Sequence, residues 1–98
     1  MDKIKLPEEC KALLYYMSDK THIEPEHNEE SDKWLEVLEY YELVTGVKNE
    51  QGHFIIAELT PKARVYMLEN PKLKDPSFWD DKHALVDHVI NIIGAIIP

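Results

Sequence analysis

The sequence has one cysteine, three glycines and no long apolar run. Because Cys10 has no partner in the chain, an internal disulfide framework is excluded. The longest uncharged stretch, 88–98, is shorter than the roughly 20 residues of a membrane-spanning helix, so no membrane span is predicted. The N-terminal segment carries charges at Asp2, Lys3 and Lys5 and predicts no secretory leader. We therefore expect one cytoplasmic domain, for which 98 residues suffice.

Basic residues are also scarce, with Lys+Arg 11 against Asp+Glu 19 and a net charge of −8. Eleven acidic and three basic residues lie between Glu8 and Glu42, so the whole net charge falls in this part of the chain. A negative surface repels phosphate, which disfavours free affinity for nucleic acid or an anionic membrane. Two interpretations stay open: a solvated face that maintains solubility, or a surface for a basic partner.

Apolar spacing predicts two helices in the first half of the chain. The first covers 8–18, and the second runs from a cap at Asn28 or Ser31 to about Val44, with a polar loop over 19–30 between them. The residues predicted to face the core on the second helix are Trp34, Val37, Leu38, Tyr41 and Val44. The residues predicted on its outer face are Asp32, Glu36, Glu39 and Leu43, with Tyr40 at the flank.

From Gly46, which is predicted to end the second helix, the pattern changes to that of a β-hairpin. Its strands are predicted at 47–48 and 53–59, around a polar turn. A third helix follows, with Thr60 as its N-cap and Asn70 at its end.

A two-proline connector over 71–76 leads to the C-terminal segment 77–98, predicted to form one amphipathic helix over about 78–97. The aliphatic residues assigned to a partner-facing surface of this helix are Val86, Val89, Ile90, Ile93 and Ile97. Two uses stay open: completion of the chain's own core, or pairing with a second copy or another protein. No Lys or Arg follows Lys82, which disfavours a membrane interface.

The stretch LEVLEYYELVTGVKNEQGHFIIAELTPKARVYML resembles the winged helix-turn-helix superfamily, and in particular the small bacterial and phage winged-helix proteins of YjcQ-like type. The resemblance implies an α+β, winged-helix-like domain over 1–70 with an extra C-terminal helix. Two departures stand out: Lys62-Ala63 replaces the family's Lys-Gly, and Pro25 makes the motif's second helix short or absent. DNA binding by a dimer is the function that the resemblance implies.

The helix that enters DNA in that family carries Asp32, Glu36 and Glu39 here, and carboxylates repel phosphate. The first hypothesis is therefore protein–protein interaction through an acidic face, as in a phage or mobile-element adaptor or inhibitor. That face comprises Asp32, Glu36, Glu39 and Tyr40. The alternative is a dimeric transcriptional regulator. Its DNA-contacting residues would be Lys48, Asn49, Gln51, His53, Lys62 and Arg64.

Catalytic and metal chemistry lack a sequence signal. The sequence contains neither HExxH nor paired CxxC spacing, so no metal or other cofactor is predicted. Histidines lie close in sequence to carboxylates in two places: His22, Glu24, Glu26 and His27 in the loop, and His83, Asp87 and His88 on the last helix. Cys10 lies on an apolar helix face, where a buried, inert thiol is expected. We therefore expect a protein that is not an enzyme.

Overall fold

The computed structural model describes residues 3–94 and is α+β, as predicted. Within this range, five α-helices accompany one antiparallel two-stranded sheet. The helices are α1 (Glu8–Met17), α2 (Glu29–Tyr40), α3 (Pro61–Glu69), α4 (Pro76–Asp80) and α5 (His83–Ile93). The strands are β1 (Val44–Lys48) and β2 (Phe54–Leu59), and a short 3-10 helix covers Pro71–Lys74.

Helix α1 forms where its apolar spacing predicts it. Glu8 and Glu9 lie in the first turn, where carboxylates complement the positive end of the helix. The apolar face is fully buried, and Leu13 and Leu14 are among its largest side chains. This face forms the centre of the core, against which α2 and α5 pack.

The loop between α1 and α2 contains no helix, as predicted, but Ile23 makes a contact that the sequence did not indicate. Its N–H donates to the carbonyl of Ala57 at 2.8 Å, and the Ala57 N–H donates back at 2.9 Å. Ile23 is fully buried, so this apolar residue anchors an otherwise polar segment on the outer side of β2.

Helix α2 begins as predicted and ends earlier than predicted. Asn28 is the N-cap and forms a reciprocal capping box with Ser31. The end is a Schellman motif, in which Leu43 N–H donates to the Leu38 carbonyl at 2.8 Å and Glu42 N–H donates to Glu39 at 2.9 Å. Glu42 takes the left-handed conformation that glycine usually supplies, with φ of 62°.

Two expectations about this region are therefore wrong. Leu43 was predicted on the outer face of α2 but is fully buried, because the reversal at Glu42 turns it back onto Leu38. The helix does not reach Val44, which begins β1, and Gly46 lies inside β1 rather than at the helix end.

The hairpin is confirmed, with a longer first strand than predicted. Its register pairs Val44 with Leu59 and Lys48 with Phe54, with an irregularity after Val47. Gly46 lies so close to β2 that a Cβ there would overlap the Ile56 carbonyl. The third helix begins as predicted, with the Thr60 hydroxyl accepting from Ala63 N–H at 3.1 Å.

The prediction of a single long C-terminal helix is wrong, because the structure divides this segment into α4 and α5. Asp75 caps α4, and Trp79 turns inward to donate from its indole nitrogen to the Leu73 carbonyl at 3.1 Å. Asp80 and Asp81 lie at the C-terminal end of α4, where a negative charge interacts unfavourably with the helix dipole. They also precede α5, and a negative charge at the N-terminal end of a helix interacts favourably with its dipole. Helix α5 ends at Gly94, which has φ of 51°. Ile97 lies outside the described residues.

Candidate functional site

A cleft of about 160 Å³ separates α2 from the tip of the hairpin. Helix α2 contributes the residues that the sequence placed on an acidic face, and the hairpin contributes residues of the DNA-binding alternative. The lining residues that matter here are Asp32, Glu36, Glu39, Lys48, Gln51 and His53. Parts of the two candidate surfaces thus face each other across one cleft, which Tyr40, Asn49, Lys62 and Arg64 do not line.

Two of the three carboxylates on the predicted acidic face have partners within the chain. Glu39 accepts a hydrogen bond from the Lys48 ammonium at 2.6 Å. Asp32 is largely shielded from solvent and contacts the imidazoles of His27 and His53. Glu36 is exposed and, within residues 3–94, has no ion-pair partner. The free negative charge of this face is therefore smaller than the sequence alone suggests.

The imidazoles and the Asp32 carboxylate come from three separate segments. His27 precedes the Asn28 cap, Asp32 lies in the first turns of α2, and His53 directly precedes β2. The His53 Nδ1 atom is 3.3 Å from the Asp32 Oδ2 atom, and the His27 Nδ1 atom contacts the same oxygen. The two rings stack with centroids 3.8 Å apart. We name these three residues the His–Asp–His cluster.

Sequence reasoning missed this cluster because it grouped histidines by their spacing along the chain. His27 meets His53 only through the fold of the hairpin, and no local pattern indicates that contact. The second predicted group is also arranged differently: His88 Nε2 lies 3.3 Å from a Glu30 carboxylate oxygen, and His83 contacts the Asp80 carbonyl at 3.2 Å. Among the described residues, His83 and Asp87 form no ion pair.

The most exposed large apolar side chain of the described chain is Tyr40, at 80%. Its ring packs edge-on against Tyr41 with centroids 5.1 Å apart. Val37 and Tyr41 are half-buried, and with Tyr40 they line a shallow groove that Glu36 and the exposed Lys5 also border. We name this region, formed by Glu36, Val37, Tyr40 and Tyr41, the Tyr40 patch.

The cationic residues of the DNA-binding alternative are engaged within the chain. Lys48 binds Glu39, and Lys62 lies 3.4 Å from a Glu42 oxygen. The Arg64 guanidinium donates to the Ser18 carbonyl at 2.5 Å, at the C-terminal end of α1.

The polar residues of that alternative lie in the hairpin turn. The Asn49 side-chain oxygen accepts from the N–H groups of Gln51 and His53 at 3.0 Å, so this side chain holds the turn together. The hairpin group and the two α3 cations, Lys62 and Arg64, thus lie on different elements.

Helix α5 contributes to the core of the chain. Val89 and Ile93 are fully buried, while Val86 and Ile90 are half-buried beside Tyr16 in a surface depression. Of the residues assigned to a partner-facing surface, Val89 and Ile93 therefore have no accessible area for a partner.

The remaining reactive group, Cys10, is shielded. Burial raises the pKa of its thiol from 9.0 to about 12, with a smaller contribution from the negative charge of Glu9. The thiol is therefore protonated at neutral pH, and its sulfur donates to the Trp34 carbonyl at 3.6 Å.

No helix in residues 3–94 is long and apolar enough to cross a membrane. The chain matches no protein-family model, no curated protein and no solved structure.

Proposed function

We propose that this protein is a non-enzymatic interaction module of winged-helix-like architecture that binds a basic surface of another protein. The element order supports the architecture: apart from one missing helix, α1, an extended residue at Ile23, α2, the hairpin and α3 follow the order of a winged helix. Ile23 occupies the place of the first strand, and the hairpin that of the wing. The second helix of that motif is absent from the loop over 19–28, in line with Pro25.

The Tyr40 patch carries the proposal for a protein partner. Tyrosine is enriched at the centres of protein interfaces because it buries a large area while ordering few rotatable bonds. Here the Tyr40 ring is exposed but already positioned by Tyr41, and Glu36 and Lys5 line the same groove. The net charge of −8, concentrated between Glu8 and Glu42, complements a basic partner and speeds its association.

The same charges argue against DNA as the partner. Phosphate binding needs free cations. Lys48 is paired with Glu39 at 2.6 Å and Arg64 donates to the Ser18 carbonyl, whereas the exposed Lys62–Glu42 pair at 3.4 Å holds Lys62 only weakly. If Lys48 left Glu39 to bind a DNA phosphate, the unpaired Glu39 carboxylate would lie near that phosphate and repel it.

Photo-crosslinking tests the protein-partner proposal. A photoreactive amino acid replaces Tyr40 in one variant and Leu68, which is 71% exposed on α3, in a control variant. We expect a specific adduct from position 40 alone. The captured protein is then purified and titrated with wild type, Tyr40→Ala, Glu36→Lys and Leu68→Ala. The first two substitutions should weaken binding by about tenfold or more, and the control should not.

Equal loss of affinity in Leu68→Ala would contradict the position of the interface. DNA binding is tested separately by fluorescence anisotropy with a labelled duplex at low salt. Tight binding that weakens steeply with salt and is lost in Lys48→Ala would overturn the proposal in favour of a DNA-binding regulator.

A further inference from the structure

We propose that the His–Asp–His cluster is a binding site for a divalent transition-metal ion of the Zn²⁺ type. Imidazole nitrogen and carboxylate oxygen are ligands that Zn²⁺ binds in proteins. The three residues offer two of the first kind and one of the second, and their ligand atoms all lie within 4.8 Å of one another. This inference is independent of the Tyr40 patch and of any partner.

One of the three distances between ligand atoms agrees with a tetrahedral ion, and a second, from His27 to Asp32, is shorter than such an ion allows. Zn–N and Zn–O bonds of about 2.0–2.1 Å at a tetrahedral angle place neighbouring ligand atoms about 3.3 Å apart. The His53 Nδ1 and Asp32 Oδ2 atoms are separated by 3.3 Å. The His27 Nδ1 atom contacts the same oxygen, so a small outward rotation of this exposed ring opens the remaining space.

Hydrogen bonds hold the segments that carry the two histidines before any ion binds. The residues on either side of His27 are bonded to the end of α5: Glu26 N–H donates to the Ile93 carbonyl at 2.8 Å, and the Asn28 side-chain amide donates to the Ile92 carbonyl at 2.7 Å. His53 is bonded through its own N–H to the Asn49 side chain at 3.0 Å. Such preorganisation reduces the entropic cost of assembling the ligands.

The electrostatics also favour a cation at this point. Asp32 is largely shielded, and both of its partners are imidazoles, which bind metals in their neutral form. One divalent ion would bind both imidazole nitrogens and the carboxylate together. The His27 side of the cluster is open to solvent, so water completes a three-ligand site.

Metal titration of tag-free, chelator-treated protein tests this inference. Wild type and variants are titrated with Zn²⁺ by calorimetry, and their melting temperatures are measured with and without the ion. We expect one ion per chain, with a melting temperature raised by about 5 °C or more when free Zn²⁺ is about a hundredfold above its Kd. His27→Ala, His53→Ala and Asp32→Asn should each weaken binding by more than about tenfold.

His83→Ala is the matched control, because it removes an exposed histidine outside the cluster. It should bind Zn²⁺ like wild type. Imidazole NMR signals give a second readout that does not depend on the variants: Zn²⁺ should shift those of His27 and His53 and leave that of His88 in place. Absence of saturable binding to wild type, undiminished binding by His53→Ala, or a shift of His88 instead would each overturn the inference.

Discussion

Replacing Ile93 tests whether α5 belongs to the core of the chain or to an interface between chains. The side chain is fully buried among the described residues and lies in the last turn of the helix. Truncation of a fully buried isoleucine costs the transfer energy of its lost methyl and methylene groups plus that of the cavity left behind. Ile93→Ala should therefore lower the free energy of unfolding by about 3 to 4 kcal/mol. Ile90→Ala, at a half-buried position on the same helix, should lower it by about 1 to 2 kcal/mol.

The assay is urea unfolding followed by circular dichroism, at two widely separated protein concentrations. If α5 belongs to the core of the chain, the urea midpoint of unfolding is independent of protein concentration. If α5 forms an interface between chains, the midpoint rises with protein concentration. Ile93→Asp should leave the chain largely unfolded. The loss of the isoleucine side chain already removes much of the small free energy of unfolding of a domain, and the buried, unpaired carboxylate lowers it further. A folded Ile93→Asp protein of unchanged far-ultraviolet spectrum, or an Ile93→Ala loss below that of Ile90→Ala, would refute the reasoning.

Three further predictions concern the backbone and the buried thiol. Gly46→Ala should lower stability by about 2 kcal/mol, because the new Cβ meets the Ile56 carbonyl; a thermal melt equal to that of wild type would contradict the hairpin packing. Glu42→Gly should raise stability by about 0.5 to 1 kcal/mol by relieving the left-handed conformation, whereas Glu42→Ala should not, and chemical denaturation distinguishes the two. Because burial raises the pKa of Cys10 from 9.0 to about 12, stability should fall as pH rises through that interval. In Cys10→Ala, the decrease in stability that comes from the thiol should be absent. A thiol reagent that labels the native wild type as fast as the unfolded chain would contradict the burial of Cys10.

Local signals in the sequence predicted the elements whose causes are local. The apolar spacing of α1, the Asn28 cap and the Thr60-Pro61 start of α3 depend on residues a few positions apart, and all three are confirmed. The end of α2 was not predicted: Leu43 N–H donates to the Leu38 carbonyl, and Glu42 takes the positive φ that glycine usually supplies. The sequence prediction placed the end of the helix at Gly46 because glycine is the usual residue at the C-terminal end of a helix.

The candidate site was predictable only in part for the same reason. The position of Tyr40 at the flank of α2 follows from helical spacing, so its exposure could be foreseen. The partners of Asp32 and Glu39 could not, because Lys48 and His53 reach them only when the hairpin folds over α2. The break before α5 likewise depends on where Trp79 finds a carbonyl to bind, which local spacing does not specify.

The bonds from Glu26 and Asn28 to the end of α5 also set an order of events during synthesis. Residues 92 and 93 lie at the end of α5 and are synthesised after the earlier helices and strands. The segment before α2 therefore cannot bond to the Ile92 and Ile93 carbonyls until α5 has left the ribosome. Contacts between residues so far apart in sequence form late, because a long loop must close first. The final assembly of the loop, and of His27 within it, therefore follows the synthesis of α5. Chains that stop short of Ile92 should show faster amide exchange from His27 to Ser31 while α1 stays protected.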